Sequence, residues 1–267
     1  MGNWYFPCKN YTATGEWSPI EKIGALGNAL QKIGSEHCYN CPMGCSQMKL
    51  VKKGPHAGDM SDPEFESMYS FGGQTGNDNL DSIIAADLLC DELGIDTMSA
   101  GVTIGFAMEL YEKGILTPAD TEGIELNFGN SEAIISLISQ MSYREGLGAI
   151  LADGVKVAAE KIGKGSEKYA MHIKGMELPG YDVRGAKEHG LGLATSYTGV
   201  ITIVLMHSLK YYLDTESIRK AAVKSSVSVS GYKYRLTKIK ELGYDLQSPQ
   251  ERFDLKLAIK IYEITVE

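Results

Sequence analysis

The chain of 267 residues is long enough to bury a sizeable core, as one large domain or two smaller ones. Hydrophobic residues at 43% and charged residues at 22% are ordinary for a globular protein and argue against low-complexity disorder. The formal net charge of −8 argues against a general nucleic-acid or anionic-membrane surface, because both attract basic proteins. No stretch reaches the ~18 consecutive apolar residues of a membrane-spanning helix, and the N-terminus lacks the pattern of a secretory signal. We therefore expect a cytoplasmic protein with no nucleic-acid or membrane partner.

The predicted elements are mostly helices. Residues 1–17 are predicted to form a loop. Apolar residues at helical spacing then predict helices in residues 18–36, 63–73, 79–94, 97–114, 131–146, 148–163, 215–226 and 250–264. Short strands are predicted in residues 47–53, in residues 169–175 and near residues 201–207. The expected fold class is therefore mainly α and multihelical, with few short strands.

The stretch HCYNCPMGC contains three of the five cysteines within eight positions, in the order Cys38-x-x-Cys41-x-x-x-Cys45. Thiolates are soft ligands that suit zinc and iron–sulfur clusters. A zinc ribbon needs a second Cys-x-x-Cys pair downstream, which the sequence lacks. The compact run therefore favours an iron–sulfur cluster. A zinc site completed by His37 or His56, or no metal at all, are the alternatives.

Cys8 and Cys90 are the other two cysteines and the candidates for a fourth ligand. Cys90 lies on the apolar face of its predicted helix, where a lone cysteine is usually a small core residue. Cys8 lies in a predicted loop and could move to the cluster. We expect that neither is a ligand and that Cys90 faces the core. An odd cysteine count with three thiols clustered does not fit a disulfide framework.

Five segments carry a resemblance to a known family. In chain order they are HCYNCPMGC, DPEFESMYSFGGQTGNDNLDSIIAADLLCDELGIDTMSAG, VTIGFAMELYEKGILT, EGLGAILADGVKVAAEKIG and HIKGMELPGYDVRGAKEHGLGLATS. Together they resemble the tungsten-containing aldehyde ferredoxin oxidoreductase family, over roughly residues 3–200. The resemblance implies the fold of the family's C-terminal helical domains. We assign residues 1–200 to a helical, iron–sulfur and pterin-contacting region, and residues 201–267 to a divergent, helical C-terminal segment.

The resemblance also implies an activity and cofactors. Enzymes of the family oxidise aldehydes to carboxylic acids at a tungsten atom held by two pterin dithiolenes, and electrons pass through a 4Fe–4S cluster to ferredoxin. The expected partners are ferredoxin and a small aldehyde, and the expected cofactors are the oxygen-sensitive cluster and a tungsten (or molybdenum) bis-pterin. The family's N-terminal β-rich pterin-binding domain and its fourth cluster cysteine have no match in this sequence. Its catalytic histidine also has none, since Thr202 stands near that position and the nearest histidine is His207. We therefore expect a separate domain or subunit to supply the rest of the pterin site.

By resemblance, Cys38, Cys41 and Cys45 match three of the four cluster ligands. Asp91, Gly94 and Asp96 match the family's Asp-x-x-Gly-x-Asp motif, whose carboxylates hydrogen-bond a pterin. Ionised carboxylates accept charge-assisted hydrogen bonds from the amino and ring N–H groups that a pterin presents. The alternative interpretation of these carboxylates is a charged helix terminus.

Two further pairs of residues match the family near the tungsten site. Glu64 and Glu66 lie in the segment where the family has a glutamate close to the metal, a candidate proton acceptor, and Glu66 is the preferred match. The alternative for both is a helix start, where carboxylates favour the helix dipole. Asp182 and Arg184 match a segment near the cofactor, where Arg184 would suit a pterin phosphate. The alternative there is a structural ion pair.

The sequence is compatible with four functions. The first is a component of an aldehyde-oxidising tungsten enzyme that is incomplete alone. The others are an iron–sulfur electron-transfer module, a benzoyl-coenzyme A reductase-like subunit and an inactive fragment. Fold similarity alone does not establish activity, so the metal content decides between them.

Overall fold

The computed structural model describes residues 6–14, 20–37, 39, 41–42 and 44–184, together with the single positions 193, 217, 218, 220 and 248. The chain divides into two compact units, Met1–Gly185 and Ala186–Glu267. All elements given below belong to the first unit. In the second unit, Ile218 and Lys220 are helical. Two further predictions fall outside the described residues: the strand near residues 201–207 and the helix in residues 250–264.

α-Helices dominate the described part of the first unit, which confirms the predicted mainly α, multihelical fold. The helices are α1 Ile20–Ile23, α2 Ala25–Gln31, α3 Phe65–Met68, α4 Leu80–Leu93, α5 Thr97–Glu112, α6 Ser131–Tyr143, α7 Gly148–Leu151 and α8 Val155–Ile162. A π-helical turn, Tyr69–Gly73, continues α3, and a 3₁₀ turn, Ser166–Tyr169, follows α8.

The strands form three separate antiparallel pairs of two residues each. The pairs are β1 Pro7–Cys8 with β2 Ala13–Thr14, β3 Lys49–Leu50 with β4 Met60–Ser61, and β5 His172–Ile173 with β6 Met176–Glu177. The second and third pairs contain the strands predicted in residues 47–53 and 169–175. The first pair was not expected, because residues 1–17 carry no alternating apolar pattern.

The long helices begin and end at residues with local capping chemistry. The side chains of Asn79, Asp96 and Asn130 precede α4, α5 and α6, and each accepts a backbone N–H of the first turn. Gly94 ends α4 in the left-handed conformation at φ 68°, where the Ile95 N–H donates to the Cys90 carbonyl at 2.9 Å. The predicted helix end at Gly94 is therefore confirmed.

Two predicted helices are each broken into two. The helix predicted in residues 18–36 is interrupted at Gly24, where the Asn28 amide donates to the Gly24 carbonyl at 2.9 Å. The helix predicted in residues 148–163 is interrupted before α8, because Gly154 has φ 84°. At Gly154, glycine allows the positive φ at low steric cost, and apolar spacing alone revealed neither break.

The core lies between α4, α5 and α6, with α7 and α8 packed around them. Helix α5 is buried on all sides along residues 100–110, most of which are apolar. A Cβ on Gly101 would lie 2.6 Å from the Ser70 carbonyl carbon, and one on Gly105 would lie 2.9 Å from the Gln74 carbonyl oxygen. These glycines therefore let α5 approach the backbone of the π-helical turn and the residue after it.

The β1–β2 hairpin packs on this same turn. Backbone N–H groups of Lys9 and Asn10 donate to the carbonyls of Gly73 and Gln74 at 2.9 and 3.0 Å, and the Tyr11 ring meets the Tyr69 ring edge-on at 6.2 Å. The hairpin is therefore held on this turn by both backbone hydrogen bonds and an aromatic contact. Among the helices of the described part of the chain, none is both long and apolar enough to cross a membrane.

Candidate functional site

The thiol loop, residues 37–45, follows α2 and precedes β3. Cys41 is half-buried and Cys45 is exposed, and neither forms a disulfide. The His37 ring lies against the loop, with Nδ1 3.1 Å from the Cys41 carbonyl oxygen. Gly44 has φ 56°, and a Cβ there would lie 2.5 Å from the His37 ring, so glycine is favoured at this turn. Cys38 lies outside the described residues, and the convergence of the three sulfurs stays a prediction.

The other two cysteines are buried away from solvent. Cys90 is fully buried among the helices of the core, which confirms that it faces the core. Cys8 is 1% exposed, and its thiol points to the Phe6 carbonyl at 3.7 Å. Burial is the main cause that raises the pKa of each thiol to about 12. A metal ligand must be the thiolate, so both environments disfavour metal binding in this conformation.

A cleft of about 880 Å³ opens beside the thiol loop. Cys45 lies at its wall together with Lys49 and Glu64, and its lining is otherwise mostly apolar. The apolar lining residues include Phe6, Ile20, Ile23, Pro63, Phe65 and Met68. One cleft thus brings a predicted cluster ligand and one of the predicted catalytic glutamates to the same surface.

The two candidate glutamates differ in their surroundings. Glu64 is exposed and precedes α3, without a hydrogen bond from its side chain to the first turn. Glu66 is half-buried, and its Oε2 accepts the backbone N–H of Gly180 at 2.9 Å. Burial raises the pKa of Glu66 above its ordinary value, the Gly180 N–H opposes that rise, and the nearby Asp96 carboxylate adds to it. The raised pKa makes Glu66 the better candidate for proton transfer, although Glu64 and not Glu66 lines the cleft.

The Asp-x-x-Gly-x-Asp motif spans the junction of α4 and α5. Asp91 and Asp96 are exposed, and the left-handed Gly94 makes the turn between the two helices. Asp96 accepts the Ser99 N–H at 2.7 Å with Oδ2, which caps α5. A carboxylate has capacity for further hydrogen bonds, so the capping role is compatible with a pterin donor.

Asp91 also belongs to a group of three carboxylates. One oxygen each of Asp62, Asp87 and Asp91 lies within 4.8 Å of the others. Asp87 is buried and accepts the Ser61 hydroxyl at 2.6 Å; burial is the main cause that raises its pKa, and the neighbouring carboxylates contribute. Among the described residues, this is the only group of three or more His, Cys, Asp and Glu side chains placed closely enough for one metal ion.

Lys49 is a buried cation that sequence reasoning missed. Lys49 is only 2% exposed, and its Nζ donates to the Gln47 and Pro63 carbonyls at 2.9 and 3.1 Å. Burial lowers its pKa, although Asp87 and Asp62 oppose this. Lysine is rarely buried, and nothing in the sequence around Lys49 separates it from the exposed Lys52 and Lys53.

Asp182 and Arg184 form an ion pair. Arg184 Nε lies 2.9 Å from Asp182 Oδ1, and Arg184 Nη2 donates to the Tyr11 carbonyl at 2.7 Å. Asp182 is 1% exposed on its side chain and also accepts the Thr14 hydroxyl. Burial alone would raise the pKa of Asp182, but hydrogen bonds from Arg184 and Thr14 outweigh it and lower the pKa. The structural ion pair is thus present, and cofactor binding by the two residues stays a prediction.

The described residues fit the cofactors in different degrees. The accessible thiols of Cys41 and Cys45 suit a cluster, and the exposed carboxylates of Asp91 and Asp96 suit a pterin. The side chain of Arg184 is 56% exposed, so its pairing with Asp182 leaves part of it open to solvent. Asp182 itself is enclosed by Thr14 and Arg184, so it is better placed to orient Arg184 than to contact a cofactor directly.

The helical fold and the thiol loop together define a class of mainly α proteins with clustered, unbridged cysteines in a loop. Within that class, the chain belongs to the aldehyde ferredoxin oxidoreductase family. The family model described as aldehyde ferredoxin oxidoreductase, domains 2 and 3, matches residues 3–241. This confirms the resemblance, and the match runs past residue 200, where the resemblance was expected to end.

Relatives and a solved structure agree with the family. The chain is 39% identical over 198 residues to a tungsten-containing aldehyde ferredoxin oxidoreductase of Thermococcus kodakarensis, and 38% identical to one of Pyrococcus furiosus. Each alignment covers 74% of this chain and 32% of the relative, so the chain spans about a third of these relatives' length. It is 38% identical over 156 residues to an aliphatic sulfonate oxidoreductase, WOR-like subunit, of Pyrococcus furiosus; this covers 57% of the chain and 25% of the relative.

The solved structure is the active-site complex BamBC of benzoyl coenzyme A reductase in complex with 1,5-dienoyl-CoA. It aligns with a TM-score of 0.57 and 27% identity, over 67% of this chain and 27% of the solved chain. The shared architecture therefore extends beyond the aldehyde-oxidising members named above.

Proposed function

We propose that the chain is the helical component of a tungsten–pterin oxidoreductase that oxidises a small aldehyde to the carboxylic acid. In this proposal a 4Fe–4S cluster passes the electrons to ferredoxin, and a separate domain or subunit supplies the rest of the pterin site. The observation that carries the proposal is the pair of accessible, unbridged thiols, Cys41 and Cys45, in a member of this family. The odd cysteine count, with three thiols clustered, supports a reducing compartment such as the cytoplasm.

Each cofactor has candidate residues in this chain. Cys38, Cys41 and Cys45 would hold three irons of the cluster, and an outside group would ligate the fourth. Asp91 and Asp96 would accept hydrogen bonds from a pterin, with Gly94 turning the backbone between them. When bound, the tungsten–pterin group supplies a two-electron acceptor for the aldehyde. Arg184 would orient toward a pterin phosphate from its place beside Asp182.

Glu66 is the proposed proton acceptor. Oxidation of an aldehyde by addition of water releases two protons and two electrons, so a base near the carbonyl carbon is required. The Glu66 carboxyl is half-buried, and its pKa is raised mainly by that burial, which makes the carboxylate a stronger base than an exposed one. Glu64 lies on the wall of the neighbouring cleft and is the second candidate.

Metal analysis tests the proposal directly. The chain is purified without oxygen from cells supplied with tungstate, and iron, sulfide, zinc and tungsten are measured; a second sample is reconstituted with iron and sulfide. We expect a cluster that is lost in Cys38→Ala, Cys41→Ala and Cys45→Ala. Cys90→Ala is the matched control, because its buried thiol lies in the core and its loss should leave the iron content unchanged. Tungsten retained by a complex should fall in Asp96→Asn.

The outcomes separate the competing functions. Iron and sulfide without tungsten in any complex would favour an electron-transfer module. Stoichiometric zinc in place of iron would refute the cluster. Loss of iron in Cys90→Ala, with helical circular dichroism retained, would show that the fourth ligand is misassigned.

A second candidate function is a subunit of a complex that acts on a coenzyme A ester. The likeness to the benzoyl coenzyme A reductase complex supports it. The purified tungsten-containing complex separates the two candidates, since aldehyde-dependent reduction of ferredoxin favours the first and oxidation of a cyclic dienoyl-CoA favours the second.

A further inference from the structure

Two successive peptide units beside Glu66 are held by three hydrogen bonds to other parts of the chain. They belong to residues 178–180, which we call the 178–180 segment. The Leu178 carbonyl accepts the Tyr69 hydroxyl at 3.3 Å, and the Pro179 carbonyl accepts the Tyr11 hydroxyl. The next peptide N–H, that of Gly180, donates to Glu66 at 2.9 Å. The segment is thus oriented from one side by two tyrosine hydroxyls and offers a donor on the other.

The Pro179 carbonyl controls the direction of the Gly180 N–H, because both belong to the same planar peptide unit. This carbonyl also accepts the Tyr181 N–H at 2.7 Å, which closes a three-residue turn centred on Gly180. A rotation of that peptide unit would break the bonds from Tyr11 and Tyr181 and turn the donor away from Glu66. The orientation of the donor therefore depends on what holds the carbonyl.

The segment lies so close to α3 and the π-helical turn that no side chain fits at position 180. A Cβ on Gly180 would lie 2.8 Å from Cγ and 2.9 Å from Cβ of Tyr69, and 3.0 Å from the Phe65 ring. The Tyr181 ring packs on the Phe65 ring with 5.2 Å between centroids. This close approach brings a backbone donor, rather than a side chain, to the Glu66 carboxylate.

Tyr11 is itself fixed in place. Its carbonyl accepts Arg184 Nη2 at 2.7 Å, and its ring meets the Tyr69 ring edge-on. The β1–β2 hairpin that carries Tyr11 is bonded to Gly73 and Gln74 through its backbone. These contacts hold the Tyr11 hydroxyl in a fixed position.

We propose that Tyr11 is a positioning residue for Glu66, acting through the peptide unit of Pro179 and Gly180. The importance of this role for catalysis rests on the proposed function, in which Glu66 accepts a proton, but the hydrogen-bond relay itself does not. A backbone N–H bonded to a carboxylate favours the ionised form. Loss of the Tyr11 hydroxyl should loosen the peptide unit, weaken that bond and make Glu66 a weaker acid.

Other groups also act on the titration of Glu66. The Asp96 carboxylate disfavours its ionised form, and the hydroxyls of Tyr11 and Tyr69 lie close enough to feel its charge. Neither tyrosine ionises in the range where a carboxyl group titrates, since burial raises the pKa of both above the ordinary value. Removal of the Tyr11 hydroxyl therefore changes its hydrogen bonds, to the Pro179 carbonyl and with the Tyr69 hydroxyl, and no charge.

The test is a titration of the Glu66 carboxyl in the full chain without added metal. The chain is labelled with ¹³C at glutamate side-chain carboxyls, and Glu66→Gln identifies the resonance. We expect the acid dissociation constant of Glu66 to fall about tenfold in Tyr11→Phe, as expected for a weakened hydrogen bond to a carboxylate. Tyr143→Phe is the matched control, because Tyr143 is 67% exposed at the end of α6 and should leave the titration unchanged.

An unchanged or increased dissociation constant in folded Tyr11→Phe overturns the proposal. If that variant does not fold, Tyr69→Phe, which frees the adjoining Leu178 carbonyl, is judged by the same criterion. The titration needs neither tungsten nor substrate, so its failure would leave the proposed enzyme function standing. A failed metal analysis would likewise leave the relay to Glu66 standing.

Discussion

Asn10 combines an unusual backbone conformation with three side-chain hydrogen bonds. Its φ is 52°, in the left-handed region that asparagine tolerates better than most residues. Its amide nitrogen donates to Glu109 Oε2 at 2.7 Å and to the Tyr169 carbonyl at 2.8 Å, and its amide oxygen accepts from Gln74 at 2.9 Å. One fully buried side chain thus joins the N-terminal hairpin to α5 and to the turn before β5.

We expect Asn10→Ala to lower the free energy of unfolding by about 2–3 kcal/mol at pH 7. The variant leaves the buried Glu109 carboxylate and the Gln74 amide without this partner, and alanine also tolerates φ 52° less well than asparagine. Urea unfolding followed by circular dichroism measures the change. Asn127→Ala, at an exposed position, is the control; equal effects in the two variants would contradict the role of the buried hydrogen bonds.

At the scale of elements, a single carboxylate links the ends of two helices. Asp153, between α7 and α8, accepts Arg144 Nη2 at 2.8 Å and also pairs with Lys161 of α8. Arg144 is the residue at which α6 ends, in the left-handed conformation. Hydrogen bonds from Arg144 and then Lys161 lower the pKa of Asp153 to about 2. The break before α8 is thus accompanied by a charge cluster that holds the neighbouring ends together.

The stabilisation by these pairs should depend on pH in a defined direction. The folded-state pKa lies below the ordinary value of about 3.9, so the stabilisation is present above that value and is lost as the pH falls towards 2. We expect Asp153→Asn to lower the melting temperature by about 1–2 °C at pH 7, and less in high salt, because exposed ion pairs are weak and screened.

Thermal unfolding at pH 7 and at pH 2 measures this difference. At pH 2 the gap between Asp153→Asn and the parent chain should shrink. Glu125→Gln, which removes an exposed carboxylate away from this cluster, should show no such pattern. A gap of the same size at both pH values would contradict the assignment.

At the scale of the whole molecule, the first compact unit contains a continuous core. The buried residues of that core run from Ile23 to Ala159 and come from α1, the segments around α3 and all of the helices from α4 to α8. A second, smaller cluster of Phe6, Cys8, Tyr69 and Val102 joins the N-terminal hairpin to it. A unit with its own core is expected to fold by itself.

We therefore predict that residues 1–185 fold without the rest of the chain. The expected result is helical circular dichroism and one cooperative unfolding transition in urea, as is usual for a single core. Gly101→Ala in the same fragment provides the control for native packing, because its Cβ would clash with the Ser70 backbone and should shift the transition to lower urea. A fragment that unfolds without cooperativity would show that its core needs residues beyond 185.

Local features of the sequence predict much of the secondary structure and part of the candidate site. Helix α4 and its end at Gly94 follow from apolar spacing and from glycine's access to positive φ, both of which act within a few residues. The burial of Cys90 follows from its place on the apolar face of that helix. The thiol spacing and the long segments shared with the family can likewise be recognised from the sequence alone, without knowledge of any tertiary contact.

Only the tertiary structure decided which of these residues act together. The bond between Glu66 and Gly180 joins positions 114 residues apart, and the bond between Tyr11 and Pro179 spans 168. The burial of Lys49 and the enclosure of Asp182 likewise depend on segments distant in the chain. No local pattern encodes such contacts, because a side chain's solvation and hydrogen-bond partners are set by whichever segment folds against it. The sequence by itself determined the family, the helices and the thiol loop; the packing of residues 6–14 and 178–184 on α3 decided the surroundings of Glu66.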